Sequence, residues 1–236
     1  MRTQRIVVAI DGPAAAGKSS TAQRVAGLVG LRHVDSGSLY RAATAAHLRV
    51  DRDVDRWTEG AVLASARAVT FEPRATTFVP MIAGGDVEAE LRGMDVTRYV
   101  SRVAQMPAVR AWVNARVRSA ARESDIVVDG RDMGTVVFPD AALKVFLVAD
   151  SWERARRRLI ERVGGVPGDA AIAGETERLV QRDARDATQT VQARDAVLID
   201  TTHLTQAEQV HRIVALVEAV IARGKLPSET DLSVDG

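Results

Sequence analysis

The sequence predicts an α/β fold, a parallel sheet flanked by helices, with a smaller unit inserted into it. Three observations lead there. Short apolar runs of the kind needed by a strand buried on both faces recur along the chain. Segments of helical spacing alternate with them, as in a parallel sheet with helical connections. One stretch, 51–92, breaks that rhythm.

Taken in order, residues 5–11 (RIVVAID) form the first strand, apolar on both faces until Asp11. A glycine-containing turn and a helix over 17–29 follow. A short strand is predicted over 31–35 and a helix over 38–48. Segment 51–92 begins polar and helical, then gives β-like pieces near 69–71 and 78–82, with Gly84-Gly85 beyond. It reads as an inserted subdomain of mixed structure. Helices are expected at 96–104 and 108–121, and strands at 126–129 and 143–149. Residues 164–174 read as a Gly-Pro loop between two arginine-rich helices, ahead of a strand at 196–200 and a helix at 205–222. The core is then 1–50 with 93–223, including a lid at about 151–187, and the polar tail 224–236 is expected to be flexible.

A chain of 236 residues suits one sizeable domain with an insertion. No apolar run approaches the roughly 18 residues of a spanning helix, which excludes a membrane-embedded protein. The apolar start is too short for a signal peptide and meets Asp11. Cysteine is absent, which excludes disulfide scaffolds, thiolate metal sites and thiol catalysis, and a cytoplasmic address is expected. The formal charge is +1, so there is no electrostatic case for nucleic acid as a partner. Lys18, Lys144 and Lys225 are the only lysines among 32 basic residues, which makes a lysine at a motif position informative.

Lys18 holds such a position. Gly12-Pro13-Ala14-Ala15-Ala16-Gly17-Lys18-Ser19 matches G-x-x-x-x-G-K-[ST], between a buried strand and a helix. The glycines let the backbone curl until successive N–H groups face phosphate oxygens. The helix start adds its positive dipole end. Lys18 brings a mobile charge for the β- and γ-phosphates, the Ser19 hydroxyl suits Mg²⁺, and Ser20 completes the segment. The pattern implies binding of a nucleoside triphosphate. No Asn-Lys-x-Asp is present to read guanine, and the chain is short for a motor, which leaves a small-molecule kinase.

Two further segments leave strands at the same sheet edge, where open α/β sheets bind ligands. Asp35-Ser36-Gly37-Ser38-Leu39-Tyr40-Arg41 gathers a carboxylate, hydroxyls, a phenol and a guanidinium. Asp129-Gly130-Arg131-Asp132 aims charge into a cleft rather than building a core.

DSGSLYRA and VVDGRDMGTVVFPDA, at these spacings from GPAAAGKSS, resemble the bacterial cytidylate kinase family, the CMP kinase branch of the nucleoside monophosphate kinases. AGGDVEAELR and VSRVAQMPAVR fit the same pattern, and the likeness runs over about 5–202. The resemblance implies ATP-dependent phosphorylation of CMP, and of dCMP, by a P-loop protein acting as a monomer. Its insertion would bind the monophosphate, and an arginine-rich lid would close over ATP. Ser101 and Asp132 would accept from the cytosine amine and Arg110 would donate to the ring. Uracil presents an acceptor where cytosine presents that donor, so a carboxylate there rejects uracil. Ser36 and Tyr40 would line the acceptor site. Arg41 and Arg131 would grip the acceptor phosphate, and Arg157 and Arg158 would reach the ATP phosphates alongside Arg154.

Arg182-Asp183-Ala184-Arg185-Asp186 resembles a family segment in which Arg182 and Asp186 approach the acceptor's ribose and phosphate. The family's next arginine, three residues on, is here Gln189, and the connector to the following strand is short. Extrapolating the helix puts Gln189 on the face of Asp186, one phosphate-binding charge short. Two alternatives stand beside the leading reading: a kinase for uridylate or a non-nucleotide acceptor, and a regulatory module that binds nucleotides without turnover.

Overall fold

The computed structural model describes residues 5–223; the tail 224–236 lies outside them. Five parallel strands form the main sheet: β1 (Val7–Asp11), β2 (Arg32–Asp35), β6 (Ile126–Asp129), β7 (Leu143–Val148) and β8 (Val197–Asp200), in the order β2-β6-β1-β7-β8. Three shorter strands, β3 (Val69–Pro73), β4 (Phe78–Ile82) and β5 (Gly85–Asp86), make a separate antiparallel sheet within 51–92. The helices are α1 (Lys18–Val29), α2 (Ser36–Leu48), α3 (Glu59–Ala66), α4 (Glu88–Leu91), α5 (Met94–Val103), α6 (Pro107–Glu123), α7 (Ser151–Val163), α8 (Asp169–Asp186) and α9 (Gln206–Arg223).

Side chains on a strand alternate between faces, and the central strands bury both. Val7 and Ala9 of β1 pack into a core shared with α2, α3, α5 and α6. Val8 and Ile10 point the other way, into a core closed by Val25 of α1 and Ile213 and Val217 of α9. A third, small cluster joins Ala14 and Ala15 to Ala155 and Leu159 of α7 and Ile172 and Leu179 of α8. The alanines of the turn after β1 are thus a packing surface for the last two helices.

The inserted sheet docks on the border of β2. The His33 N–H donates to the Thr76 carbonyl at 2.9 Å, and the Thr77 hydroxyl donates to the His33 carbonyl at 3.2 Å. The edge that a terminal strand leaves open is covered there. One expected loop is shorter than its glycines suggested. The helix resumes at Asp169, and Gly174 lies inside α8 rather than in a loop over 164–174. Glycine weakens a helix interior by about 1 kcal/mol, and the packing of Ile172 and Leu179 outweighs that.

The chain leaves β1 toward β2 and β6 on one side and returns to β7 and β8 on the other. The carboxyl end of β1 is therefore the switch point of the sheet. Gly12 makes the turn there, with φ of 148°, and a Cβ on it would lie 2.1 Å from the Leu147 carbonyl oxygen. Gly30 also has positive φ, at 71°, but a Cβ would meet nothing within 4 Å. Gly12→Ala should therefore cost about 2–3 kcal/mol, from strain plus displacement of β7, while Gly30→Ala should cost about 1 kcal/mol from strain alone. Urea unfolding of the two variants measures the difference, and equal losses would contradict the close approach to β7.

Candidate active site

The turn after β1 is built to receive an anion. α1 starts at Lys18 with Gly17 as its N-cap at φ 81°, without a side-chain cap and without an acidic residue in the first turn. The first N–H groups of the helix therefore lack an internal competitor for a ligand. Lys18 is buried, and its Nζ donates to the Pro13 carbonyl at 2.6 Å. Burial, then the nearby Arg131 charge, brings its ammonium down to about 7. Ser20 turns its hydroxyl back to the Gly17 carbonyl.

Asp129, at the end of β6, connects this cradle to its surroundings. Its Oδ2 accepts from the Ser19 hydroxyl at 2.6 Å, and its Oδ1 lies 2.7 Å from His33 Nε2. Its carbonyl accepts from the Ser36 hydroxyl at 2.7 Å, so Ser36, buried at the start of α2, spends its proton on the scaffold. Burial pulls the His33 imidazole down, but the hydrogen bond and charge of Asp129 outweigh it and hold His33 above its ordinary value. Asp35 is raised by burial and by the Asp129 charge. Sequence reasoning quoted Asp129 without giving it a role. The available signal was that β1, β2, β6 and β8 all end in aspartate, at the edge where an α/β sheet binds ligands.

Beyond Asp129 the chain turns through Arg131 and Asp132. Asp11 fixes that turn, its carboxylate accepting the Met133 and Gly134 N–H groups at 2.9 and 2.7 Å. Burial raises Asp11 to about 6, against those two bonds. Arg131 reaches Asp186 Oδ2 through Nε and Nη2 at 3.4 and 3.3 Å, and Arg182 Nε lies 3.7 Å from the same oxygen. Burial and then Arg131 lower Arg182 to about 10. Arg41 is held by the Leu91 carbonyl at 3.3 Å and the Thr97 hydroxyl at 3.2 Å. The structure thus brings Lys18, Arg41, Arg131, Arg182 and Asp186 to one cleft.

A second grouping lies further along that cleft. Arg110 of α6 pairs with Asp132 through Nη2, and Ser101 of α5 lines the wall beside them. Tyr40 is buried, and its hydroxyl has no hydrogen-bond partner among the described residues. Burial pushes that phenol up to about 12, so it stays a neutral donor. An unpartnered buried hydroxyl facing a cleft is a place for a polar ligand.

The arginines of α7 divide their work differently from the expected shared face. Arg154 is buried, donating to the Ala14 carbonyl at 2.7 Å and to Asp183 Oδ2 at 2.6 Å. Arg157 is tied to Glu153 at 3.0 Å and to the carbonyls of Thr201 and Thr202 at 2.7 and 2.9 Å, so it anchors the turn after β8 at the margin of the cleft. Arg158 alone of the three stands among the charges felt by both Arg41 and Arg182, and Glu175 holds it at 2.9 Å. Gln189 also departs from the helical extrapolation. α8 ends at Asp186, and the Gln189 Oε1 accepts from Arg110 Nη1 at 2.8 Å, on the Arg110–Asp132 side of the cleft.

Asp183 clamps the cradle from α8. Its Oδ1 accepts the Ala14 N–H at 3.1 Å while Oδ2 takes Arg154. Asp183→Ala would leave a buried guanidinium with two carbonyl partners only, those of Ala14 and Ala149. A loss of about 2–3 kcal/mol in unfolding free energy is expected, below the full cost of breaking a buried pair because the carbonyls remain. Thermal unfolding checks it, and an unchanged midpoint would show that the clamp does not hold.

Both groupings open on one cleft of about 2,010 Å³. Sites for one small molecule run to roughly 1,000 Å³, so this one has room for two ligands. Comparison with known proteins agrees with the geometry. Residues 8–219 match the family model described as cytidylate kinase. A cytidylate kinase of Limosilactobacillus fermentum is 40% identical over 222 residues, covering 92% of this chain and 97% of its own. One of Geobacillus kaustophilus is 41% identical over 221 residues, covering 91% and 97%. Among solved structures, an uncharacterized protein from Eubacterium ventriosum superimposes with a TM-score of 0.50 at 12% identity, over 91% of this chain and 99% of that one, a likeness of fold alone. A match that runs nearly the length of the chain, to the family model and to these relatives alike, leads to one assignment: the chain belongs to the cytidylate kinase family.

Proposed function

We propose that the protein transfers the γ-phosphoryl group of ATP to CMP. One observation carries the reading: a single cleft sets the Lys18 cradle across from Arg41, Arg131 and Arg182, with the Arg110–Asp132 pair beyond them. Gly12 to Ser20 hold the donor phosphates through backbone N–H groups and Lys18. The Arg110–Asp132 pair with Ser101 reads the cytosine edge, and Tyr40 offers its free hydroxyl to the acceptor. Arg41, Arg131 and Arg182 receive the acceptor phosphate, Asp186 spaces the last two, and Arg158 lies between acceptor and donor. Arg157 shapes the donor end by holding the turn after β8. Segment 51–92 serves as the monophosphate-binding subdomain and 151–187 as the lid, on a core of 1–50 with 93–223. The range of acceptors includes dCMP, and the protein works as a monomer in the cytoplasm.

The chemistry needs no nucleophile from the protein. An oxygen of the CMP phosphate attacks the γ-phosphorus, the bond to the bridging oxygen of ADP breaks, and CDP and ADP are released. The side chains bring two anions together and stabilise the charge that shifts between them. Ser19 Oγ and Asp129 Oδ2, hard oxygens joined by a 2.6 Å hydrogen bond, are the groups that would hold Mg²⁺. When bound with ATP, Mg²⁺ would neutralise charge on the phosphate oxygens.

An acceptor screen tests the reading. ADP release with CMP and dCMP should exceed that with UMP by a factor of at least about 10² in kcat/KM, since a buried carboxylate facing uracil O4 leaves two acceptors opposed. AMP and shikimate should be inert, and a preference for either would overturn the assignment.

Lys18 gives a second, independent check. Its free pKa of about 7 leaves it mostly neutral at pH 8, and phosphate oxygens favour the charged form, so binding of ATP draws a proton from solution. Calorimetry in buffers of different ionisation enthalpy should show greater proton uptake by the wild type than by Lys18→Met at pH 8, and a smaller difference between them at pH 6. Equal uptake by that variant would assign the proton to another group.

A further inference from the structure

We infer that Gln189 is a positioning residue for base recognition: it supplies the third acceptor that fixes the plane of the Arg110 guanidinium. The inference rests on the CMP kinase reading above. Arg110 donates through Nη1 to the Ala104 carbonyl at 3.2 Å and to Gln189 Oε1 at 2.8 Å, and through Nη2 to Asp132. The three acceptors come from three places in the chain: the residue after α5, the turn after β6, and the segment beyond α8. A guanidinium carries five N–H donors in one plane. Three fixed partners define that plane and leave two donors for a ligand.

The position of Gln189 is set by its own backbone. The N–H groups of Gln189 and Thr190 both donate to the Asp186 carbonyl at 2.9 Å, and the Thr190 hydroxyl joins them at 3.0 Å. Asp186 meanwhile receives Arg131 through its side chain. One tight turn therefore joins a carboxylate on the phosphate side of the cleft to an amide on the base side. The amide oxygen is what Arg110 requires there. An arginine at 189 would bring a second guanidinium against the first with no lone pair to offer. A leucine would fill the space and leave one Arg110 donor without its partner. Arg110 then gains freedom to rotate away from Asp132, and the cost falls on the base alone, since the phosphate ligands are elsewhere.

The experiment compares CMP with cytidine, which presents the same base without a phosphate. KM for CMP and ATP, kcat, and the inhibition constant of cytidine are measured for the wild type and for Gln189→Leu, Gln189→Glu and Gln189→Arg. Gln189→Leu should raise the CMP KM and the cytidine inhibition constant by the same factor, about tenfold, the scale of one hydrogen bond to a charged group. The ATP KM should stay within about twofold, which also shows that the variant is folded. Gln189→Glu restores an oxygen and should return both values to within about threefold of the wild type. Gln189→Arg should be the weakest for both ligands. A lower CMP KM in Gln189→Arg with cytidine unchanged would place residue 189 at the phosphate and overturn the inference. So would a Gln189→Leu variant with unaltered constants. A wild type that fails to phosphorylate CMP would instead overturn the functional reading itself, and this inference with it.

Discussion

Crowding of like charge in one cleft is the constraint around which the rest of the molecule is arranged. Lys18, Arg41, Arg131, Arg158 and Arg182 converge where the dielectric is low, and burial with mutual repulsion lowers the protonation equilibria of Lys18, Arg41 and Arg182. Each is restrained by an oxygen: a carbonyl for Lys18, Asp186 for Arg131 and Arg182, Glu175 for Arg158, a carbonyl and a hydroxyl for Arg41. None of these restraints equals a phosphate in charge. The protein holds its cations in place at a cost to its own stability, which anionic ligands would offset. This is electrostatic preorganisation, in which the energy needed to orient the groups is spent in folding rather than during the reaction.

Helices α7 and α8 are tied to the turn after β1. Ala14 and Ala15 pack against α7 and α8, while Asp183 and Arg154 bond both polar groups of the Ala14 backbone. A shift of α8 must therefore move or release the cradle. The same helix carries Arg182 and Asp186, which meet Arg131, and its terminal turn ends at Gln189, which meets Arg110. One helix thus joins the turn after β1, through Asp183, to the turn after β6, through Asp186.

The sequence revealed those parts whose chemistry is local. Gly12 and Gly17 are read directly because their backbone angles permit few other residues, and Lys18 follows from its spacing to them. Arg131 and Asp132 are legible because charge at the end of a buried strand has few other uses. Asp183, Glu175 and the His33–Asp129 contact were not legible. Each acquires its role from a partner at a distance along the chain: Asp183 from Ala14, Glu175 from Arg158, His33 from Asp129. Gln189 failed for a different reason. Helical extrapolation runs past the end of α8, three residues earlier, and the closing turn sends the side chain to Arg110. Arg154 failed because spacing on a helix fixes which residues are neighbours but not which side faces the cleft.

The two borders of the main sheet are unequal. β8 has a strand partner on one side only among the described residues and carries Val197 and Leu198 at its surface, whereas β2 is overlaid by residues 76 and 77 of the inserted sheet. The insertion therefore protects an edge of the main sheet. Its hairpin occupies hydrogen-bonding groups that would otherwise solicit a strand from another molecule. A shortened relative lacking this segment would expose a fresh seam next to His33, and its first difficulty would be keeping separate copies from zipping together at high concentration.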